Sequence, residues 1–475
     1  MSNLNLKWMP SLGYFLGGLA YLIVIVEEQI FSDEYDLLGS GEDLSRHIMK
    51  DGRPIGAIIY RGMAYFVNSP SDIVYLRIIS LIASLLLLWL ITKEISKVFE
   101  SNILKLLISS AIFLPTFVLY ITWGMLSYFM VSTLISFVAF KLWATPERKL
   151  KLVALILQII VLLVYPPSAF ASFAFIGVIA LISNSPLITE IKKVWNWMVL
   201  NFCAGILSIV IVYLDSNLRG YSLNSRVQFV NLGDVPEKLV WLFSRPLIIS
   251  TRFFDIRSPN AVIATVTFLI FIVTLIYGFK SYHINTKLLL GRSILYVGCL
   301  LLSLTPIVMS ADNQFDYRLI LGTSISLYLA FVFAILQITQ TFFKSAFPKI
   351  LTLIVLLILG VVTMYSHSTK LFLDPYFLKQ QLIYDSIEEC FLNNSRPSRV
   401  VLEGRESKYP SRNNLGLFSM RTDMASDWVP IPSFKLALME KGHSEISVVW
   451  ADNGAVIRPG DCRIDLSKFV TAFSN

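Results

Sequence analysis

The chain has 475 residues, 55% hydrophobic and only 15% charged, with a mean hydropathy of +0.66. Runs such as 79–90, 152–164 and 350–362 are apolar all round a helix, which excludes an ordinary soluble core. The net charge of +8 reflects lysine and arginine gathered in alternate loops, so it calls for no nucleic-acid partner.

In chain order, eleven spans are expected, near 10–31, 73–92, 103–121, 123–142, 150–165, 168–183, 194–214, 259–279, 291–310, 318–341 and 348–366. An apolar stretch of about 20 residues matches the roughly 30 Å hydrocarbon layer of a bilayer. No small-residue cleavage site follows the apolar run 12–26, so the first span is expected to stay as an anchor. With the N-terminus in the cytoplasm, the inner loops carry Lys7, Lys93, Lys97, Lys105, Lys141, Arg148, Lys149, Lys151, Lys192, Lys193, Lys280, Lys287, Arg292, Lys344 and Lys349. The short outer turns, near Thr122, Tyr165 and Asp312, carry only Arg318. That asymmetry sets the orientation. The expected fold is a mainly α membrane bundle over 1–366, with external loops at 32–72 and 215–258, and a small exported α/β domain over 367–475. Cys390 and Cys462 both fall in that domain, where an oxidising compartment permits a disulfide. Cys203 and Cys299 lie within spans as small apolar residues.

The first external loop carries the densest chemistry. A helix over 42–51 is expected to break at Gly52-Arg53-Pro54, because proline disfavours helical geometry in the residue before it. A second helix over 55–66 is too short to span and lies along the interface, apolar face down. Glu42-Asp43 and Arg46, followed by Arg53, put carboxylates and guanidinium groups close to the membrane. A carboxylate there can take the proton of an attacking hydroxyl, and arginine's planar fork matches phosphate oxygens. The structural alternative is a solvated loop whose Glu42 and Asp43 favour the positive end of the following helix.

This loop resembles the first external loop of the GT-C class of membrane glycosyltransferases. More narrowly, Glu42-Asp43-Leu44-Ser45-Arg46 and Gly52-Arg53-Pro54 look like the acidic pair, spaced arginine and Gly-Arg-Pro of the phage-type, serotype-converting O-antigen glucosyltransferases. That family shows two aspartates where this chain has Glu42 and Asp43, which leaves Asp43 as the better candidate base. The resemblance is sharp over 32–66 and elsewhere rests on span count, loop order and the exported tail. It implies a sugar donor carried on undecaprenyl phosphate, an O-antigen hydroxyl as acceptor, and a site on the periplasmic face of a bacterial inner membrane. It also implies a functional link to a flippase and a polyprenyl-phosphate glucosyltransferase. Asp43 would be the base, with Asp33 and Asp36 next in line, while Arg46 and Arg53 would hold the carrier phosphate. No nucleotide is implied. A divalent cation is open, since Asp33, Asp36 and Asp43 offer hard oxygen ligands.

Further candidates lie in the outer turns. Asp312 and Arg318 share a charged stretch at a membrane boundary, and a charge held against the topological trend marks either a substrate path or a snorkelling arginine. Tyr165 opens the turn Tyr165-Pro166-Pro167-Ser168, as a substrate contact or a turn residue. Arg77, early in the second span, is expected to snorkel outward. The middle loop interleaves Arg219, Arg226, Lys238, Arg245, Arg252 and Arg257 with aromatic residues, a pattern equal to a sugar-binding or an interfacial segment. Two other functions remain: an O-antigen polymerase, and a transporter or flippase for a lipid-linked saccharide. Transporters keep polar or broken helices near the midplane, whereas here the charges collect on the outer face.

Overall fold

The computed structural model describes residues 9–31, 33–39, 41–224, 227–254, 261–282, 285–311, 317–343, 347–393, 397–403, 430–451 and 458–466. The chain is predominantly helical and is a multi-pass membrane protein. It opens with α1 (Met9–Ile25), then three short helices, α2 (Glu34–Leu38), α3 (Glu42–Lys50) and α4 (Pro54–Phe66). The expected break stands between α3 and α4, where Gly52 takes φ +72° and Pro54 starts the next helix. A positive φ is cheap only for glycine, and proline suits a first helical turn. The bundle continues with α5 (Ile73–Val98), α6 (Asn102–Ser109), α7 (Pro115–Thr122), α8 (Ser127–Trp143), α9 (Arg148–Val164), α10 (Pro166–Ile182) and α11 (Leu187–Arg219). After α12 (Val235–Ser244) and α13 (Pro246–Ser250) come α14 (Ala261–Tyr282), α15 (Thr286–Ser303), α16 (Thr305–Met309), α17 (Leu321–Phe342) and α18 (Phe347–His367).

Among the described residues, seven helices are long and apolar enough to cross a bilayer, against the eleven expected. An eighth crossing is counted if Asn102–Phe113 and Pro115–Thr122, bent by 55°, act as one span. The other expected spans are shorter or bent helices. Pro115 and Pro166 each force an extended residue before them, Leu114 and Tyr165, which cuts long apolar runs into pieces. Helices α1, α9 and α10 have 17 residues each, about 26 Å at 1.5 Å per residue. Helix α10 is buried over most of its surface, so its apolar character serves helix packing. Backbones approach closely at small residues: a Cβ on Gly322 would sit 2.7 Å from the Ala171 Cα.

At one end of the bundle Lys141 pairs with Glu94 at 2.5 Å, and Tyr282 donates to the Ile182 carbonyl. Arg292 is fully buried there and donates to the Ala180 and Ser185 carbonyls. The other end gathers the first loop, the turns at 122–126 and 165–168, the 220–254 segment and the start of the tail. Asn224 donates to Asp51 at 2.8 Å, and Phe229 pairs with Ser310 in an antiparallel bridge.

The tail begins with α19 (Asp374–Asn393), which packs against the first loop. Phe31 meets Phe372 edge-on at 5.0 Å, and Gln380 donates to the Tyr35 hydroxyl. Beyond it, β1 (Arg399–Glu403), β2 (Ser447–Trp450) and β3 (Cys462–Asp465) form a parallel sheet of order β2-β1-β3, with α20 (Pro430–Glu440) against it. Val400, Val401 and Leu402 fill its centre, and Cys390 of α19 is disulfide-bonded to Cys462 of β3.

Candidate functional site

The first loop is anchored from below by a buried ion pair. Arg77 of α5 has no exposed surface, in place of the outward snorkelling expected. Its guanidinium donates to the Thr122, Glu27 and Gln29 carbonyls and lies 3.6 Å from the Glu34 carboxylate. Glu34 accepts from the backbone N–H groups of Phe31 and Met125. Burial pushes the Glu34 carboxyl up to about 7 against the pull of Arg77 and those N–H groups. Nothing in the sequence singled Glu34 out, and its partner lies 43 positions along the chain. This pair fixes the loop to the start of α5 and to the turn before α8.

Asp33 and Asp36 stand beside Glu34, and both are buried. The Tyr60 hydroxyl of α4 donates to the Asp33 carbonyl at 2.8 Å, and it also meets the Asp36 carboxylate. Asp36 in turn accepts from the N–H of Leu44 at 3.2 Å, tying α2 to the first turn of α3. Burial, with Asp43 and Asp33 nearby, raises the Asp36 carboxyl to about 6.

Asp43 is exposed on the first turn of α3. Its neighbours on that helix pair with each other: Arg46 lies 2.6 Å from Glu42, one turn away, with both side chains largely in solvent. The arginine holds the Glu42 carboxyl below the usual carboxylate range. His47 faces Asp51 at 3.7 Å on the same helix. The Glu42-Asp43-Arg46 cluster is therefore a helix surface, while Asp33 and Asp36 form the buried acidic part of the loop.

Arg53 belongs with the buried part. Its guanidinium lies 5.0 Å from the centre of the Tyr165 ring, which is stacked at 3.8 Å on Phe129. The approach is close because Gly56 faces the end of α9, where a Cβ would come 2.9 Å from the Val164 carbonyl. Arg318 lies over the Trp123 ring at 5.4 Å, and its carbonyl accepts from the Tyr120 hydroxyl. The Tyr128 hydroxyl, at the start of α8, is within electrostatic range of Arg53, Asp33, Arg318 and Tyr165 together. The Tyr128 ring lies 4.3 Å from the Phe129 ring, which stacks on Tyr165, so Arg53, Tyr165 and Tyr128 belong to one aromatic cluster. Beside Arg318, Tyr120, Thr133, Ser168, Ser303 and Thr323 line a crevice too tight to admit a water molecule.

Asp312, Arg226 and Arg257 lie outside the described residues. In the middle loop, Arg219 pairs with Asp215 at 2.8 Å and Lys238 lies over Trp241 at 4.7 Å. Among the described residues no three histidine, cysteine, aspartate or glutamate side chains come together in a metal-binding group. Compared with family profiles, curated proteins and solved structures, the chain matches none.

Proposed function

We propose that the protein is a glycosyltransferase that moves a sugar from an undecaprenyl-phosphate carrier to a hydroxyl of an O-antigen or similar surface polysaccharide. By the resemblance of the first loop, the sugar is glucose, the working face is periplasmic, and a flippase and a polyprenyl-phosphate glucosyltransferase supply the donor. The observation that carries this reading is one buried acid, Asp33, whose carbonyl accepts from Tyr60 of α4, the helix that sets Arg53 over Tyr165 at one end of a membrane bundle.

In this reading the base is Asp33 rather than Asp43. Asp33 takes the proton of the acceptor hydroxyl as that oxygen attacks the anomeric carbon. The bond from that carbon to the carrier oxygen breaks, and the electron pair leaves with the prenyl phosphate. The arginines offset the charge that builds on the leaving phosphate. Asp43 is exposed on a helix surface, and Arg46 is occupied by Glu42.

The test compares Asp33→Asn with Asp43→Asn by mass analysis of the surface polysaccharide. The expected result is loss of side-branch hexose with Asp33→Asn, at normal protein level in the membrane, and retention with Asp43→Asn. The reverse pattern would return the role to Asp43. A change in polysaccharide chain length without any change in branching would point to a polymerase.

A further inference from the structure

Helix α9 packs against both α8 and α11, and it opens with Arg148-Lys149-Leu150-Lys151 and no acid in its first turn. Cations at a helix N-terminus oppose the macrodipole, so helix stability does not account for them. Ion pairing does not either. Among the described residues Arg148, Lys149 and Lys151 have no carboxylate partner, nor does Lys192 in the first turns of α11. The nearest acids in sequence are Glu147, exposed ahead of α9, and Glu190, which Lys193 holds at 2.9 Å. At the same end of the bundle, Lys97 and Lys141 share Glu94.

A chain of contacts joins the two helix starts. The Lys151 ammonium lies 5.6 Å from the centre of the Trp143 ring, at the end of α8. The Trp143 indole N–H donates to the Asn196 carbonyl of α11 at 3.0 Å. Lys192 stands one turn before Asn196 on that helix. Beyond these cations both helices turn apolar side chains away from the protein. At helical spacing Lys149 heads the exposed stripe Leu152, Val153 and Ile156, and Lys192 heads Trp195, Val199 and Phe202. A lysine stem lies along such a stripe and carries its ammonium to the level of the headgroups. The charge asymmetry between loops sets orientation, but it does not require that lysines head lipid-facing stripes.

Lysine and arginine only donate hydrogen bonds. Whatever covers this corner must therefore be negative and rich in acceptors beside the cations, and apolar along the stripes. We infer that the corner between α9 and α11 binds an anionic phospholipid, its phosphate between Lys149 and Lys192, with Lys151 steadied by Trp143 as a third contact. Basic pockets between membrane helices take such headgroups. The site is remote from the acidic loop, which meets α9 at its other end, where Gly56 faces Val164. It does not depend on the proposed sugar transfer.

The experiment titrates the purified full chain in detergent micelles with short-chain phosphatidylglycerol, phosphatidylcholine and glycerol phosphate, read by native mass spectrometry. Wild type is expected to bind phosphatidylglycerol more tightly than either of the others. Each cation near an anionic headgroup is worth about fivefold in affinity, so Lys149→Gln with Lys192→Gln should weaken phosphatidylglycerol about tenfold or more. Lys97→Gln, whose ammonium already faces Glu94, is expected to bind as wild type does. If the paired variant has a lowered thermal midpoint, Lys192→Gln alone serves, with an expected loss of about fivefold. Unchanged affinity in these variants overturns the inference, as does an equal loss with Lys97→Gln, which would reflect the general charge of that end. Equal binding of phosphatidylcholine shows that the cations recognise no charge, and equal binding of glycerol phosphate shows that the apolar stripes hold no lipid; either result overturns the assignment.

Discussion

Individual side chains in the first loop sort by burial rather than by motif. Glu42, Asp43 and Arg46 have the more recognisable spacing, yet they occupy the open side of α3. Asp33, Glu34 and Asp36 read as one more acidic stretch, and their burial depends on Tyr60, Arg77 and the 124–125 backbone, none of which is near in sequence. A local pattern can report what chemistry is present, but it carries no information on which acids are desolvated. Desolvation leaves a measurable mark on Asp36. Its folded-state value of about 6 lies above the ordinary 3.8, so the folded protein keeps a proton there that the unfolded chain has released. Stability from this group is therefore lost as pH rises between about 4 and about 6. With Asp36→Asn, which is never ionised, the thermal midpoint is expected to match wild type near pH 4 and to exceed it above pH 6. Glu34 titrates in both proteins and cancels from the difference. A gap between the two midpoints that stays constant across that range would contradict the assignment.

At the scale of elements, the sequence was most informative where turn chemistry is strong. The break at Gly52-Arg53-Pro54 and the two helices around it were legible, as was the α/β character of the tail. Strand β3 offers little by itself, since Cys462-Arg463-Ile464-Asp465 alternates over only four residues. Span number is less legible, since α1, α9 and α10 have only 17 residues each and Pro115 bends the 102–122 segment by 55°. Helix α4 offers a direct test of how an element positions the site. Gly56 and Gly62 both lie on it, yet a Cβ on Gly56 would strike the Val164 carbonyl while one on Gly62 meets nothing within 4 Å. Gly62→Ala is expected to stabilise the protein by about 0.5–1 kcal/mol through helix propensity. Gly56→Val must move α4 away from α9, carrying Arg53 off Tyr165, and is expected to lower the thermal midpoint and abolish any hexose transfer. Comparable midpoints for the two variants would show that the α4–α9 contact is not tight.

For the whole molecule, the alternation of basic and non-basic loops carried no information on how the segments interlock. The tail is the clearest case. Its composition marked it as a separate α/β unit, while its docking onto the first loop through Phe372 and Gln380 depends on aromatic contacts that no periodicity encodes. The Cys390–Cys462 bond links the helix that touches the loop to the sheet's edge strand β3, across 72 positions. In the chain-entropy account, a closed loop of that length is worth about 4 kcal/mol to the folded lobe. Reduction is therefore expected to expose the sheet first, raising protease cleavage within the tail while the membrane bundle stays intact. The paired substitution Cys390→Ser with Cys462→Ser should reproduce the reduced pattern without reductant, and reductant should then add nothing. Because α19 also holds Phe31 and Tyr35, beside Asp33 and Glu34, the same treatment should loosen the acidic loop. Hydrogen exchange over 33–39 separates the two outcomes: faster exchange on reduction means the tail braces the site, and unchanged exchange means that the Arg77–Glu34 pair holds the loop by itself.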